Sequence, residues 1–366
     1  MALLDTRTVM ITFTENCNLS CSYCYEHNKT ISAMNFETAK KIIDEELKSC
    51  IVENIEFDLF GGEPFLNFKL IQQIDTYLKE VVSNYNIKIV IFASTNGTLI
   101  HGEMQKWLEQ RKDYFICGLS FDGTNAMQDI NRSNSSSLID LDFFKSTYPN
   151  QTIKMTVSVE TLCNLSEGII YLHNKGFEVI CNLAYNIDWS DCSNKFVLED
   201  ELNKLIVYYL DNPNVKVCSM LDASISNVAK NYENRKYVSY CGAGVGTVAY
   251  DVLGNKYPCH FFMPLSIGDK KTKGLKFFGE SIPENMIEDK CKKCPVQVLC
   301  PTCYGANYAA TGDMFKHDDN YCELTKIIIK ARSYFKARQW ELGQLNLSPD
   351  EEILLLKSIQ IIQENL

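Results

Sequence analysis

The chain has 366 residues, 46% hydrophobic and 22% charged. That is apolar enough for a sizeable core, too apolar for wholesale disorder, and long enough for a large α/β domain with a smaller companion. Lys and Arg number 36 against 46 Asp and Glu, a formal net charge of −10, which argues against nucleic acid or an anionic membrane as the main partner. The N-terminus carries no basic n-region and no apolar h-region, and no run approaches the ~18 apolar residues of a membrane span. The sixteen cysteines are therefore expected in a reducing cytoplasm, binding metal or doing redox chemistry rather than forming disulfides.

Strand-like and helix-like segments alternate along the first half. Val9 to Phe13 is β-rich, and Phe36 to Leu47 has helical spacing, with Phe36, Ala39, Ile42, Ile43 and Leu47 on one face. Ile55 to Phe60 is strand-like and Leu70 to Val82 helical; Ile87 to Ala93 is an apolar strand that could be buried on both faces. A short helix at Met104 to Leu108, a strand at Phe115 to Leu119, a helix at Leu138 to Phe144 and a strand at Ile153 to Val159 follow. Leu165 to Asn174 reads as a helix and Val179 to Leu183 as a strand. About six β/α repeats favour a parallel sheet whose strand C-termini share one rim, where barrel-like folds put their chemistry. A helix from Leu198 to Tyr209 is stopped by Asp211-Asn212-Pro213-Asn214. From Cys241 to Cys322 the chain is loop-rich, and helices return from Leu324 onward, including Ile353 to Ile362.

Cys17, Cys21 and Cys24 form Cys-x3-Cys-x2-Cys directly after the first strand. Three thiolates on one loop can hold three irons of a [4Fe–4S] cube and leave the fourth iron open to a ligand. The alternatives are a buried cysteine loop or half a zinc site, with His27 as the nearest fourth ligand. The segment Glu15-Asn16-Cys17-Asn18-Leu19-Ser20-Cys21-Ser22-Tyr23-Cys24-Tyr25 resembles the signature loop of the radical S-adenosylmethionine superfamily. The resemblance implies that the open iron chelates S-adenosylmethionine, that an electron from the cluster cleaves it to a 5′-deoxyadenosyl radical, and that Tyr23 lies near the adenine. Gly61-Gly62-Glu63-Pro64, after the second strand, resembles the family's motif for the methionine amino group. Ser94 and Asn96 in Ser94-Thr95-Asn96-Gly97, Ser120 and Asp122 in Ser120-Phe121-Asp122-Gly123, and Arg132 downstream are similar to strand tips that meet the ribose and the methionine carboxylate. Singly, each is an ordinary polar turn.

Seven cysteines lie at Cys241, Cys259, Cys291, Cys294, Cys300, Cys303 and Cys322, with a hairpin expected over Tyr250 to Tyr257. Their spacing resembles the SPASM extension of peptide-modifying radical enzymes, although the last interval, Cys300 to Cys303, holds two residues where the family has three. By that resemblance Cys291, Cys294, Cys300 and Cys322 would close one auxiliary [4Fe–4S] cluster. Cys241, Cys259 and Cys303 would hold a second, with one iron left to a substrate thiolate, His260 or water. A zinc ribbon is the rival, but its paired knuckles usually stand ~15–20 residues apart. Of the remaining cysteines, Cys117 and Cys181 read as small core residues, and His101 and His173 as surface helix residues.

The resemblance implies a partial (β/α)6 barrel over residues 1–215, a SPASM domain over 216–330 and a helical tail over 331–366. It implies an oxidoreductase using S-adenosylmethionine and three [4Fe–4S] clusters, with a ribosomally made peptide as substrate and flavodoxin or ferredoxin as reductant. A crosslink is the expected product, thioether first, carbon–carbon or cyclophane next. The alternatives are formylglycine formation on a sulfatase and, in another class, a non-catalytic iron–sulfur electron carrier. The sulfatase-maturing pattern places an Asp after the second SPASM cysteine, where this chain has His260, a candidate base. Only eight residues precede the first strand, so a leader peptide would be recognised by another surface or a separate protein.

Overall fold

The structure is a computed structural model and describes residues 6–50, 52–232, 241–275 and 288–366. It divides into two compact units: residues 1–121, 132–154 and 242–281 form one, and 122–131, 155–241 and 282–366 the other.

The first unit is built on a six-stranded sheet. Its strands are β1 (Thr6–Thr14), β2 (Asn54–Gly61), β3 (Lys88–Thr95), β4 (Phe115–Leu119), β7 (Thr247–Tyr250) and β8 (Lys256–Tyr257), in the order β4-β3-β2-β1-β7-β8. All neighbours are parallel except the β7–β8 hairpin. The crossovers carry α1 (Phe36–Ser49), α2 (Phe68–Val81) and α3 (Glu103–Glu109). Helix α1 starts where Asn35 accepts a hydrogen bond from the Thr38 N–H, and it buries Ala39, Ile42, Ile43 and Leu47. Phe36, on the same stripe, sits edge-on to Tyr77 of α2. The chain returns to this sheet late in the sequence: β7 pairs with β1 through Met10 opposite Ala249, which carries Cys259 and His260 into the first unit.

Strand β3 departs from its expected double burial. Ile91, Ala93 and Thr95 are buried, while Val90, Phe92 and Ser94 are half-buried. The half-buried set shares a face with Glu56, Asp58 and Phe60 of β2 and Met10 of β1, because Met10, Asp58 and Phe92 are in register. This inner face sets Glu56, Asp58 and Ser94 among apolar side chains.

The second unit holds α4 (Asn125–Asn131), α6 (Leu165–Asn174), α7 (Ser193–Asp211) and most of a two-stranded sheet of β5 (Ile153–Val157) and β6 (Val179–Leu183), Ile153 and Lys154 counting with the first unit. The helix expected from Leu138 begins later, as α5 (Leu141–Thr147) of the first unit, because Asp140 caps it by accepting from the Phe143 N–H. Two long helices, Asp319–Glu341 and Pro349–Asn365, close the chain. Ile329, Leu355, Ile359 and Ile362 pack with Ile225, Val228, Val296 and Leu299 in one apolar cluster. Cys117 and Cys181 are core residues as expected. His101 is exposed and His173 is half-buried in the last turn of α6. His101 precedes α3 rather than lying in it, and the His173 imidazole is bonded to the Phe177 carbonyl (2.9 Å) and the Tyr209 hydroxyl (2.8 Å). No helix among the described residues is long and apolar enough to cross a membrane.

Glu46 of α1 is a buried anchor of the first unit. Its carboxylate accepts from Arg7 of β1 (2.5 Å), Lys256 of β8 (2.6 Å) and the Tyr250 hydroxyl of β7. Burial opposes the charge, but these donors outweigh it and hold the carboxyl below its ordinary value. Such a group stabilises the fold above its unfolded pKa, about 4.3, and that contribution fades as the pH falls through the lower folded value. Replacing Glu46 with Gln is expected to cost about 2 kcal/mol at pH 7, since Lys256 is half-exposed and can rehydrate. Urea denaturation at pH 7 and pH 3 checks this: the difference from the parent should shrink at the lower pH.

Candidate functional site

The cysteine loop leaves β1 at Thr14 and is locked to the end of β2 through the backbone. The Gly62 N–H donates to the Thr14 carbonyl (3.0 Å) and the Glu63 N–H to the Asn16 carbonyl (2.9 Å). Gly61 has φ +140°, and a Cβ there would stand 2.1 Å from the Thr14 carbonyl oxygen; one on Gly62 would stand 2.2 Å from that of Asn16. Only glycine permits this approach.

Cys17, Cys21 and Cys24 are half-buried thiols in no disulfide, and they line one pocket with Asn16, Glu26 and Lys29. Burial raises the Cys17 pKa, opposed by the Leu19 N–H, which donates to its Sγ at 3.5 Å, and by the Lys29 charge. Lys29 is itself shifted by burial downward and, more strongly in sum, by Cys24 and Cys17 upward. Donors and a cation directed at sulfur fit thiolates that hold a metal cluster. Among the described residues no group of three or more His, Cys, Asp or Glu is arranged as a metal-ion site. His27 lies exposed at the rim of the same pocket.

The other predicted residues fall at strand tips around this loop. Tyr23 lies under the Arg132 guanidinium, 5.4 Å from ring centroid to carbon. Glu63 is buried and its carboxylate accepts from the Phe65 N–H (3.2 Å), the Thr95 hydroxyl (2.8 Å) and the Asn96 N–H (2.8 Å). Burial pushes its pKa up to about 7, against the lowering by Asn96, Thr95, Phe65 and the Arg132 charge. Asn96 donates to Asn18 in the cysteine loop (3.0 Å), and Asn18 donates to Thr98 (2.7 Å). Ser133, at φ 58°, accepts from the Ser20 N–H at 2.9 Å. Ser120 hydrogen-bonds through its N–H to the Thr95 carbonyl. Ser94 accepts from Lys154 Nζ at 2.7 Å. Thus Gly61, Gly62, Asn96 and the neighbour of Arg132 all brace the cysteine loop. Asp122 belongs to the second unit, where it accepts from Asn131 and from the Thr156 N–H.

His260 is in the first unit, with Nδ1 3.2 Å from Met10 Sδ and its ring against Tyr25, Phe60 and Phe261. Burial, aided by the Lys154 charge, pushes its pKa down to about 3. Cys259 lies beside Tyr25 in the same unit. In the second unit the Cys300 thiol is pushed up to about 12 by burial, and the thiols of Cys322, Cys291 and Cys294 add to the shift. Those three thiols thus act on Cys300 through their charge. Cys303 is pushed up to about 11 by burial, opposed by the Ala306 N–H and reinforced by Cys241. Sequence reading passed over Asp58, Lys154, Glu26 and Lys29. The alternation of Glu56 and Asp58 within an otherwise apolar strand was the available signal.

The glycine contacts generate a direct expectation. Gly62→Ala should push the Asn16 backbone away and spoil the cysteine loop while the rest of the sheet persists. Anaerobically reconstituted protein should then lose about four Fe per chain relative to the parent, with an unchanged far-ultraviolet circular dichroism spectrum.

Residues 6–139 match the family described as a 4Fe-4S single cluster domain. An uncharacterised protein of Methanocaldococcus jannaschii is 34% identical over 155 residues, 42% of this chain and 52% of that protein. A cysteine-type anaerobic sulfatase-maturating enzyme of Clostridium perfringens is 31% identical over 131 residues, 33% of this chain and 34% of that enzyme. The matches thus span about half and a third of these relatives' lengths. The structure of anSMEcpe with bound AdoMet and the Cp18Cys peptide shares the fold, with TM-score 0.67 and 19% identity over 93% of this chain and 99% of that one. Taken with the interlocked cysteine loop and glycine turn, these findings show a chain with the α/β fold of that structure, built on a partial-barrel sheet, and similar over residues 6–139 to a 4Fe-4S single cluster domain.

Proposed function

We propose that the protein is a radical S-adenosylmethionine oxidoreductase that oxidises a side chain of a peptide or protein substrate. The observation that carries this reading is the thiol triplet facing one pocket and braced from behind by the Gly61-Gly62-Glu63 turn. When bound, S-adenosylmethionine and the cluster held by Cys17, Cys21 and Cys24 would supply the hydrogen-abstracting radical. The chain's part is placement. Asn18, Asn96 and Thr98 hold the loop still, Arg132 and Tyr23 would flank the nucleotide, and Lys29 would offset the thiolate charge. Cys291, Cys294, Cys300 and Cys322 would hold one auxiliary cluster, and Cys241 and Cys303 would contribute to a second. Flavodoxin or ferredoxin is the proposed reductant.

For the product, formylglycine formation on a sulfatase-type segment is better supported than a crosslink. The sulfatase-maturating relative matches a third of the chain, and the peptide-bound anSMEcpe structure covers 93% of it. A crosslink is the second reading, thioether, carbon–carbon or cyclophane. It draws on seven rather than eight cysteines in the C-terminal set and on His260 standing where sulfatase maturation uses an Asp.

The test is anaerobic turnover with dithionite and S-adenosylmethionine. Loaded protein should release 5′-deoxyadenosine, and the Cys17→Ala/Cys21→Ala/Cys24→Ala protein should release none. With a cysteine-bearing sulfatase-type peptide, mass spectrometry should find the thiol converted to an aldehyde. Intact peptide alongside copious 5′-deoxyadenosine would reject the formylglycine reading, and no 5′-deoxyadenosine from loaded parent protein would reject the oxidoreductase.

A further inference from the structure

The inner face of the first unit's sheet carries a buried acid with nothing to bond. Asp58, in the middle of β2, is 8% exposed, and its Oδ1 is buried with no hydrogen-bond partner. A buried acceptor left unpaired costs roughly 1–3 kcal/mol. Its in-register neighbours are Met10 and Phe92. Phe60 and Glu56 flank it on the same strand face, and His260 covers Phe60 at 4.8 Å. The groups that face it are thus one cation, one further acid and aromatic rings.

The cation is Lys154 of β5. Its Nζ donates to Ser94 Oγ at 2.7 Å and sits 4.8 Å over the Phe92 ring. That ring lies where a Cβ on Gly118 would come within 2.4 Å of its tip, so the glycine makes room for it. Lys154 acts on Asp58 through its charge alone. Burial pushes Asp58 up to about 7, the Lys154 charge opposes this and Glu56 adds to it. An ammonium has three donors and Ser94 takes one. The face therefore offers an unused acceptor and spare donors, close enough to feel one another yet not paired.

We propose that Asp58 and Lys154 form a substrate-positioning pair that grips a carboxamide of the peptide, its N–H donating to Asp58 and its carbonyl accepting from Lys154. A carboxamide is the group that carries a donor and an acceptor side by side without net charge. It satisfies both partners without displacing Ser94, and its flat faces suit the walls made by Phe60, Phe92 and His260. An amine would answer Asp58 but repel Lys154, and a carboxylate the reverse. This inference rests on the proposed peptide substrate and assigns how that substrate is held.

The test uses anaerobic, cluster-loaded protein with S-adenosylmethionine, titrated calorimetrically with acetyl-alanine methylamide as the probe. Parent protein should bind it. Asp58→Leu and Lys154→Met should each weaken binding about tenfold, while Asp58→Asn, which keeps an acceptor, should stay within threefold. Asp58→Leu should also raise the melting temperature, because it replaces an unpaired buried carboxyl with an apolar side chain of similar size. Substrate-free 5′-deoxyadenosine release should be unchanged in all three variants. Loss of that release in the parent would sink the oxidoreductase reading instead. Absence of probe binding by the parent, equal binding by the Leu and Met variants, or a lowered melting temperature in Asp58→Leu would overturn the pair. Asn failing as badly as Leu would make this a cation site and overturn the carboxamide assignment.

Discussion

The end of β1 and the end of β2 meet at a separation that side chains do not allow, and the cysteine loop depends on that meeting. Two backbone hydrogen bonds, Gly62 to Thr14 and Glu63 to Asn16, fix the first residues of the loop against the rigid sheet. From that fixed start, Asn18 reaches Asn96 and Thr98, and Ser20 reaches Ser133. Three thiols on one loop would otherwise sample many arrangements, and a cluster binding them would have to bear that ordering entropy. The sheet bears it during folding. Glu63 takes part through its position: with three donors already on its carboxylate, it ties the β2 turn to the β3 tip.

Buried ionisable groups recur around this frame, and their partners separate two purposes. Glu46 has three donors and carries its charge with ease. Glu63 likewise has three. Asp58 and Glu26 do not: each has one carboxylate oxygen buried without a partner. Burial pushes Glu26 up to about 8, with Lys29 opposing and Glu15 adding, and it lines the thiol pocket. Folding alone would favour an apolar residue at both sites. The contrast with Glu46 shows that the chain can satisfy a buried carboxylate where the fold requires one.

Most of the fold was legible because the signals were periodic. The strands β1 to β4 and the helices α1, α2, α6 and α7 follow apolar spacings that survive packing. Helix α4 escaped because Asn125-Ala-Met-Gln-Asp-Ile-Asn has too few apolar residues for a stripe; it buries polar Gln128 and Asn131 instead. The return of β7 to β1 was equally hidden, since pairing across more than two hundred residues leaves no local trace. In the site, the cysteine triplet was readable from its spacing, whereas the glycine turn was expected only through its resemblance to a known motif. Asp122 illustrates the opposite case. Its sequence context suits a ligand-facing strand tip, while its carboxylate is engaged by Asn131 and Thr156 within its own unit.

The inner sheet face also explains why one chain needs both glycine-tight packing and looseness. Ile91, Ala93 and Thr95 bury the outer side of β3 fully, yet the alternate residues Val90, Phe92 and Ser94 stay half-buried. A strand pinned on one side holds its other side at fixed register, so Phe92 and Ser94 keep Lys154 in place while its remaining donors stay free. Rigidity on the outer face is thus what lets the inner face hold unpaired polar atoms without collapsing onto them.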